Sequence, residues 1–325
     1  MPRVLLALPA ALSVALASAA AAAADNGLTP VAPNSANAHA IRQTYWVILG
    51  VTGAVFVLVE AALILFIVRF RSRGRGRAQE GAQIHGATRL EATSTIVPVL
   101  LLAGIASFVF VKLPTIKDVP PANAGSSALR IRVEGHQYYW QYVYPGGQVA
   151  VRRMVVPVGQ VVTLDVVSPD VIHSWWVPAL GGKIDAIPGR TNHTWFKARR
   201  TGSYEVRCAE LCGLEHTHMT GFVDVVPAGT YRRFLAAHTG ASAALGKEIF
   251  EGACATCHGL AGQGDYGPKL AGSAVVADPK ELEQLLRQGK NKMPAVGATW
   301  SPETMDAATA YLKRRFAGGA GGSQS

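Results

Sequence analysis

At 325 residues the chain is too long for one small domain. Its 49% hydrophobic content, beside 16% charged residues, points to membrane segments alongside soluble parts. The net charge of +10 does not describe a nucleic-acid-binding face. Arg69, Arg71, Arg73, Arg75, Arg77 and Arg89 crowd one short loop between two apolar segments, which is a positive-inside signal. Four cysteines could form two disulfides, but their spacings, C-x3-C and C-x2-C-H, do not suit staples across a fold.

Residues 1–24 carry an early Arg, a Leu/Ala run and small residues before Asp25. They read as a secretory signal removed between Ser18 and Ala24; the apolar run is short and Ala-rich for a membrane anchor. Asp25–Ala40 is polar and expected to be flexible. Tyr45–Phe70 is apolar and long enough to cross a bilayer, with Tyr45 and Trp46 at one edge, Arg69 and Arg71 at the other, and Glu60 inside. An ionisable group at that depth usually faces a protein partner. A second span is expected over Thr95–Leu113, with Pro98 in its first turn and Lys112 and Lys117 at its end. Residues 41–113 therefore form a two-helix transmembrane hairpin. With the signal removed, both termini face outward and the Arg loop lies in the cytoplasm.

Residues 114–128 are a Pro/Ala/Ser linker. Over Leu129–Val226 short alternating runs recur (LRIRVEG, YYWQYVY, VVTLDVV, TWFKA, YEVRCA, GFVDVV), separated by turn signals. This pattern predicts an antiparallel sandwich or barrel, and we assign 128–228 to one all-β domain. Thr230–His238 reads as a short connecting helix. Residues 241–318 change character, with amphipathic helices around Gly-rich loops forming an all-α domain, and 319–325 are a flexible tail. The fold class is thus multi-domain: membrane hairpin, β-domain, helical domain.

Cys208, Cys212, His216 and Met219 place two thiols, an imidazole and a thioether within twelve residues, in a loop between two strands. That soft ligand set suits copper, and zinc sites rarely recruit Met. A single thiolate would indicate a mononuclear centre, whereas two thiolates four residues apart can bridge a copper pair. A pair sharing one unpaired electron changes geometry little on oxidation, as a fast one-electron relay requires. A second His must terminate the other copper, and His173, at another strand end, is the best placed.

Cys254-Ala-Thr-Cys257-His258 is the signature of covalent haem attachment: two thiols add to the vinyl groups and the His lies under the iron. The context is not the βαβ unit expected of a thiol oxidoreductase. Met293, in Lys-Met-Pro-Ala, is the favoured sixth ligand. Its rival, Met305, falls in the first turns of a helix, where a Met is more often core.

Asp170-Val-Ile-His173-Ser-Trp175, Lys183-Ile-Asp185-Ala-Ile-Pro-Gly189-Arg190, the Cys208–Met219 run and Gly135-His-Gln137-Tyr-Tyr-Trp140 resemble subunit II of haem-copper cytochrome c oxidases. The hairpin fits as well, and the resemblance covers residues 40–228. It implies a cupredoxin-like sandwich with a binuclear CuA centre held by His173, Cys208, Cys212, His216, Met219 and the backbone carbonyl of Glu210. The Glu210 side chain would reach a Mg²⁺ at the contact with subunit I. His218 would point away. Gly267-Pro268-Lys-Leu270 resembles the c-type cytochrome loop whose Pro carbonyl accepts the proximal imidazole N–H, and Gly246, Phe250, Tyr311 and Leu312 resemble the crossing contacts of its terminal helices. A subunit II with a C-terminal cytochrome c is the arrangement of caa3-type oxidases. The resemblance places the chain in a bacterial inner membrane, with its C-terminal domains on the periplasmic side. Implied partners are subunits I and III, lipid, and an external donor, either cytochrome c or a quinol-oxidising complex.

Two positions depart from the family. Tyr138 stands where Trp is common and where electrons from soluble cytochrome c enter, making Tyr138, Tyr139 and Trp140 candidates for that step; Ser94 replaces an interfacial Trp. Arg130, Arg132, Arg152 and Arg153 suggest a surface unlike the family's acidic docking face. His39, His85, His136, His193 and His238 read as surface or hydrogen-bonding residues. The expected role is one-electron transfer from haem c to CuA and on to haem a of subunit I, where O2 is reduced and protons are pumped. The alternatives are a subunit of a CuA-containing nitric-oxide reductase and a membrane-anchored shuttle without an oxidase partner.

Overall fold

The computed structural model describes residues 29–71, 86–120, 128–240 and 242–318. The signal segment 1–24, Arg73, Arg75 and Arg77 of the basic loop, His85 and the tail 319–325 lie outside the described residues. The chain divides into two compact units, His39–Asp118 and the remainder.

The first unit is a helix pair, α1 (Ala36–Phe70) and α2 (Thr88–Lys117), both long and apolar enough to cross a membrane. At 1.5 Å per residue α1 extends about 52 Å, well beyond the ~30 Å hydrocarbon layer. Both helices therefore exceed the spans expected from hydropathy. An apolar run marks only the membrane-immersed part of a helix, and once a helix is nucleated each added polar residue still gains a backbone hydrogen bond. For the same reason Pro98 lies inside α2 instead of in its first turn, and Pro114, expected in the linker, is helical. Lys112 Nζ donates to Gln43 Oε1 at 3.3 Å, joining the two helices. Glu60 lies on an exposed stretch of α1.

The polar residues at the start of α1 and just before it are not the flexible stretch their polarity suggests. Asn34, Ser35 and Asn37 are buried against the β-domain. The Asn34 N–H donates to the Ala179 carbonyl, Ser35 Oγ to the Leu180 carbonyl and Asn37 Nδ2 to the Trp195 carbonyl, while Arg199 N–H donates to the Asn34 carbonyl. Polar side chains can be buried when each finds a partner, and here the partners are the carbonyls of Ala179 and Leu180 in a turn and of Trp195 in a strand, which would otherwise need water.

The β-domain stacks two five-stranded sheets, ordered β3-β2-β1-β5-β8 and β4-β10-β9-β6-β7. The strands are β1 (Leu129–His136), β2 (Tyr139–Val143), β3 (Val149–Val151), β4 (Arg153–Pro157), β5 (Val162–Val167), β6 (His173–Trp176), β7 (Ile184–Ala186), β8 (Asn192–Phe196), β9 (Gly202–Cys208) and β10 (Thr220–Val226). In β1 and β5 alternate residues are buried, and Ile131, Val133, Leu164 and Val166 face Val206, Val223 and Val225 across the sandwich. The sheets are not wholly antiparallel: β1 pairs with β5, and β10 with β4, in parallel. Hairpins enforce antiparallel neighbours, but a connection that crosses to the other sheet returns the chain in the same direction. The chain leaves the first sheet after β3, adds β4 to the second and comes back as β5.

Helix α3 (Ala228–Ala237) leads to the helical domain, which comprises α4 (Ala243–Ile249), a π-helical turn (Phe250–Cys254), α5 (Ala255–His258), α6 (Ala274–Ala277), α7 (Pro279–Gln288) and α8 (Pro302–Phe316). Ser242, Asp278 and Ser301 cap α4, α7 and α8 by accepting N–H bonds, and Pro opens both α7 and α8. The crossing of α4 on α8 depends on Gly246, where a Cβ would collide with the Ala307 carbonyl. Phe250 packs on Tyr311 and Phe316 beside this crossing.

The helical core is completed by the sandwich, since Tyr139 of β2 and Val151 of β3 are buried within it. Glu248 of α4 fastens the edge, accepting from Val151 N–H at 3.2 Å and pairing with His238 Nε2 at 2.9 Å. His238, read from the sequence as a surface or hydrogen-bonding residue, is thus buried and bonded. Burial alone would lower the His238 pKa, but the hydrogen bond and charge of Glu248 outweigh it and raise the pKa above 6.5. The folded value exceeds the unfolded one, so the pair's stabilisation is complete below about pH 6.5 and is lost as pH rises through the raised value. Limited proteolysis of the 238–242 connection should accordingly be slow near pH 6 and faster near pH 9, and His238→Gln should flatten the difference. Equal cleavage of the wild type at both pH values would show that the pair does not hold the domains together.

Candidate functional site

Strand pairing creates the first site. Trp175 of β6 is in register with Cys208 of β9, and Ala209 N–H donates to the Ser174 carbonyl at 2.8 Å. His173 and Cys208 are thereby held on neighbouring strands at one end of the sandwich. The 209–219 loop then folds back through a 3₁₀ turn at His216–His218 and returns Met219 to the start of β10.

The loop brings together all the residues expected there. Cys208 Sγ lies 3.8 Å from Cys212 Sγ, 4.0 Å from His173 Nδ1 and 3.2 Å from the Glu210 carbonyl oxygen. Cys212 Sγ lies 3.6 Å from His216 Nδ1 and 3.7 Å from Met219 Sδ. The arrangement is two-sided, with one imidazole beside each sulfur. His218 turns outward to Glu215, and the Glu210 carboxylate is exposed.

The electrostatics suit a cationic occupant. The hydrogen bond from Cys212, reinforced by His173 and opposed by burial, holds the Cys208 thiol well below the usual thiol range. The same hydrogen bond, with burial, pushes Cys212 far up. One proton thus serves two sulfurs, and a metal replacing it would meet two thiolates, the form in which cysteine ligates. Asp170, to which the sequence reading gave no role, orients the His173 ring: its Oδ1 lies 2.8 Å from Nε2, leaving Nδ1 toward Cys208. Burial opposes protonation of His173, but the hydrogen bonds to Asp170 and Cys208 raise its pKa overall.

The second site is a cavity of about 430 Å³ in the helical domain, within the size range of cofactor pockets. Cys254, Cys257, His258 and Met293 all line it, mostly among apolar side chains. His258 Nδ1–H donates to the Pro268 carbonyl at 2.7 Å, which leaves Nε2 for an iron. A Cβ on Gly267 would lie 2.8 Å from the His258 ring, so the glycine makes the cradle in which that imidazole sits. Burial pushes the Cys254 thiol up to about 12. This lining, mostly apolar with an imidazole and a thioether, fits a haem. Met305 is buried in the helical core and is absent from the cavity lining, as a packing residue would be.

The two sites share a wall. Gln137 and Tyr138, from the turn between β1 and β2, line the haem cavity. On their other side, Gln137 Nε2 donates to the Cys212 carbonyl at 2.7 Å, and Leu214 N–H donates to Tyr138 Oη at 3.1 Å. Burial raises the Tyr138 phenol, and the charges of Cys212 and Cys257, one from each site, add to the effect. Burial likewise raises Cys257, with a contribution from Glu215 of the 209–219 loop. Tyr139 points instead into the helical core, and Trp140 is buried with its ring 6.0 Å from that of His173. Arg130, Arg132 and Arg153 do not make a free basic face, because Asp165, Glu134 and Asp224 respectively neutralise them. Tyr138 itself is half-buried, with one side on the cavity of the helical domain. Nothing in the local sequence marked Gln137, Glu248 or Trp300 as bridging residues, since Cys212, Val151 and Tyr139, which they respectively bond, lie 75 or more positions away.

Three family models match the chain. Residues 26–111 match the transmembrane domain of cytochrome c oxidase subunit II, 148–226 its periplasmic domain, and 241–312 a model described as cytochrome c oxidase, cbb3-type, subunit III. The cytochrome c oxidase subunit 2 of Alkalihalophilus pseudofirmus is 33% identical, with 89% of this chain and 91% of the relative covered. That of Cereibacter sphaeroides is 30% identical over 59% of this chain and 75% of the relative. Among solved structures, the periplasmic domain of subunit II of the Bradyrhizobium japonicum cytochrome oxidase is 38% identical, covering 37% of this chain and 96% of that one, with a TM-score of 0.34.

Proposed function

Because this chain belongs to the cytochrome c oxidase subunit II family and is a membrane-anchored subunit of a haem-copper oxidase, we propose that it carries its own electron donor, relaying electrons from a fused cytochrome c to CuA. The family implies copper in the sandwich and haem in the helical domain. His173, Cys208, Cys212, His216, Met219 and the Glu210 carbonyl would hold the copper pair; Cys254 and Cys257 would bind haem covalently, and His258 and Met293 would ligate its iron. When bound, the two groups would supply one-electron carriers on a route from an external donor to haem a of subunit I, where O2 would be reduced to water and protons pumped. The Glu210 carboxylate is assigned to a Mg²⁺ at the subunit I contact. Subunit III and lipid complete the surroundings, in a bacterial inner membrane with both soluble domains on the periplasmic side.

The shared wall carries this reading. Tyr138 and Gln137 line the haem cavity and are hydrogen-bonded to the copper loop, so the two sites lie on either side of the same pair of residues. Tethering also replaces a bimolecular encounter by a high effective donor concentration. The purified oxidase should oxidise reduced TMPD without added cytochrome c, and the chain should hold two coppers with delocalised EPR hyperfine structure and one haem c. Activity wholly dependent on soluble cytochrome c, or a single copper, would overturn the reading.

A further inference from the structure

Tyr139 is a residue of the sandwich by sequence, yet it is 1% exposed within the core of the helical domain. Its hydroxyl donates to the Val296 carbonyl at 2.7 Å and accepts from Trp300 Nε1 at 2.8 Å. Val296 lines the haem cavity three residues after Met293. The same loop is pinned at its start by a mutual pair of backbone bonds between Lys290 and Met293, and in its middle by the bond from Gly297 N–H to the Leu286 carbonyl. The phenol is stacked on His136 at 4.7 Å with ring planes 3° apart, so its direction is set from within the sandwich.

The geometry points to Tyr139 as a positioning residue for the sixth haem ligand: the copper-binding domain holds the Met293–Trp300 loop against the cavity through the Tyr139 hydroxyl, beside the packing of its ring on Trp300. The inference rests on the reading of Met293 as the axial ligand. Without the hydroxyl, the Val296 carbonyl and the Trp300 indole N–H would be buried without their partner, and an open loop that hydrates both groups would gain population. Docking of the two domains and ligation of the iron are then one coupled event, and a cytochrome domain that has come away from the sandwich would hold its Met more loosely.

The test uses the full chain in detergent, carrying copper and haem, with imidazole as the competing ligand for ferric haem. Tyr139→Phe should leave covalent haem and the copper EPR signal intact, weaken the red absorption band of Met-ligated ferric haem, lower the haem potential and tighten imidazole binding about tenfold, in proportion to the open population. Trp300→Phe, which keeps the bond from Tyr139 to Val296, should tighten it less, by about threefold. Unchanged imidazole affinity and an unchanged band in Tyr139→Phe would overturn the proposal. Should that variant not accumulate, Trp300→Phe carries the test alone, and no shift there overturns it. Met293→Ala separates the two ideas: loss of the red band supports Met293 as the ligand, whereas its retention overturns the axial assignment and with it the proposal.

Discussion

Cys212→Ser, with Cys208 left in place, is expected to convert a two-copper site into one that holds at most a single copper. Cys212 is the centre of the donor set, with Cys208 Sγ, His216 Nδ1 and Met219 Sδ all within 3.8 Å of its sulfur. A hydroxyl is a poor ligand for a soft metal and does not ionise in this setting, so the bridge is lost while His173 and Cys208 remain on their strands. The loss should exceed the roughly 10–100-fold in affinity that removing an outer partner of a ligand costs. Metal analysis against haem content, with EPR on the same sample, reads the outcome. Two coppers per haem with the delocalised pattern intact would exclude Cys212 as a bridge. Asp170→Asn offers the graded comparison, because it disturbs only the orientation of His173.

Replacing Cys254 and Cys257 together by Ala should silence the other end of the relay. Both thiols line the cavity beside His258, and no other cysteine does. Haem staining on a denaturing gel should disappear, and oxidation of TMPD by the assembled complex should fall at least about 100-fold, the scale on which tethering exceeds a free encounter. The copper EPR signal should persist, since none of its donors belongs to this domain. Wild-type turnover in the double variant would mean that electrons reach the copper site by a route that bypasses the haem.

Much of this protein was legible in one dimension because its chemistry is local. Cys208, Cys212, His216 and Met219 lie on one loop, and Cys254, Cys257 and His258 on little more than one helical turn, so residue type and spacing were enough to place soft-metal and haem chemistry. The spans were legible because a membrane demands a long apolar run, although their helical ends were not, since a helix continues wherever its hydrogen bonds do. The buried Asn34–Asn37 segment was read as flexible because composition reports polarity and cannot report partners. The parallel strand pairs were invisible for a related reason: alternation reveals which face is buried, never which neighbour a strand selects.

What the sequence by itself determined is the inventory: two apolar helices, an all-β domain with a soft-metal loop, and a helical domain with a haem signature. What only the tertiary structure decided is how the two sites face each other. Contacts between residues distant along the chain follow from packing, and packing put Gln137 and Tyr138 into the haem cavity while bonding them to the copper loop. It also buried Tyr139 in the neighbouring domain, where its hydroxyl answers two groups that no local pattern could have paired with it. Tyr139 and Trp140, adjacent on β2, point to different surroundings, the core of the helical domain and the core of the sandwich. A strand's two-residue period makes that division possible, and the fold assigns its destinations.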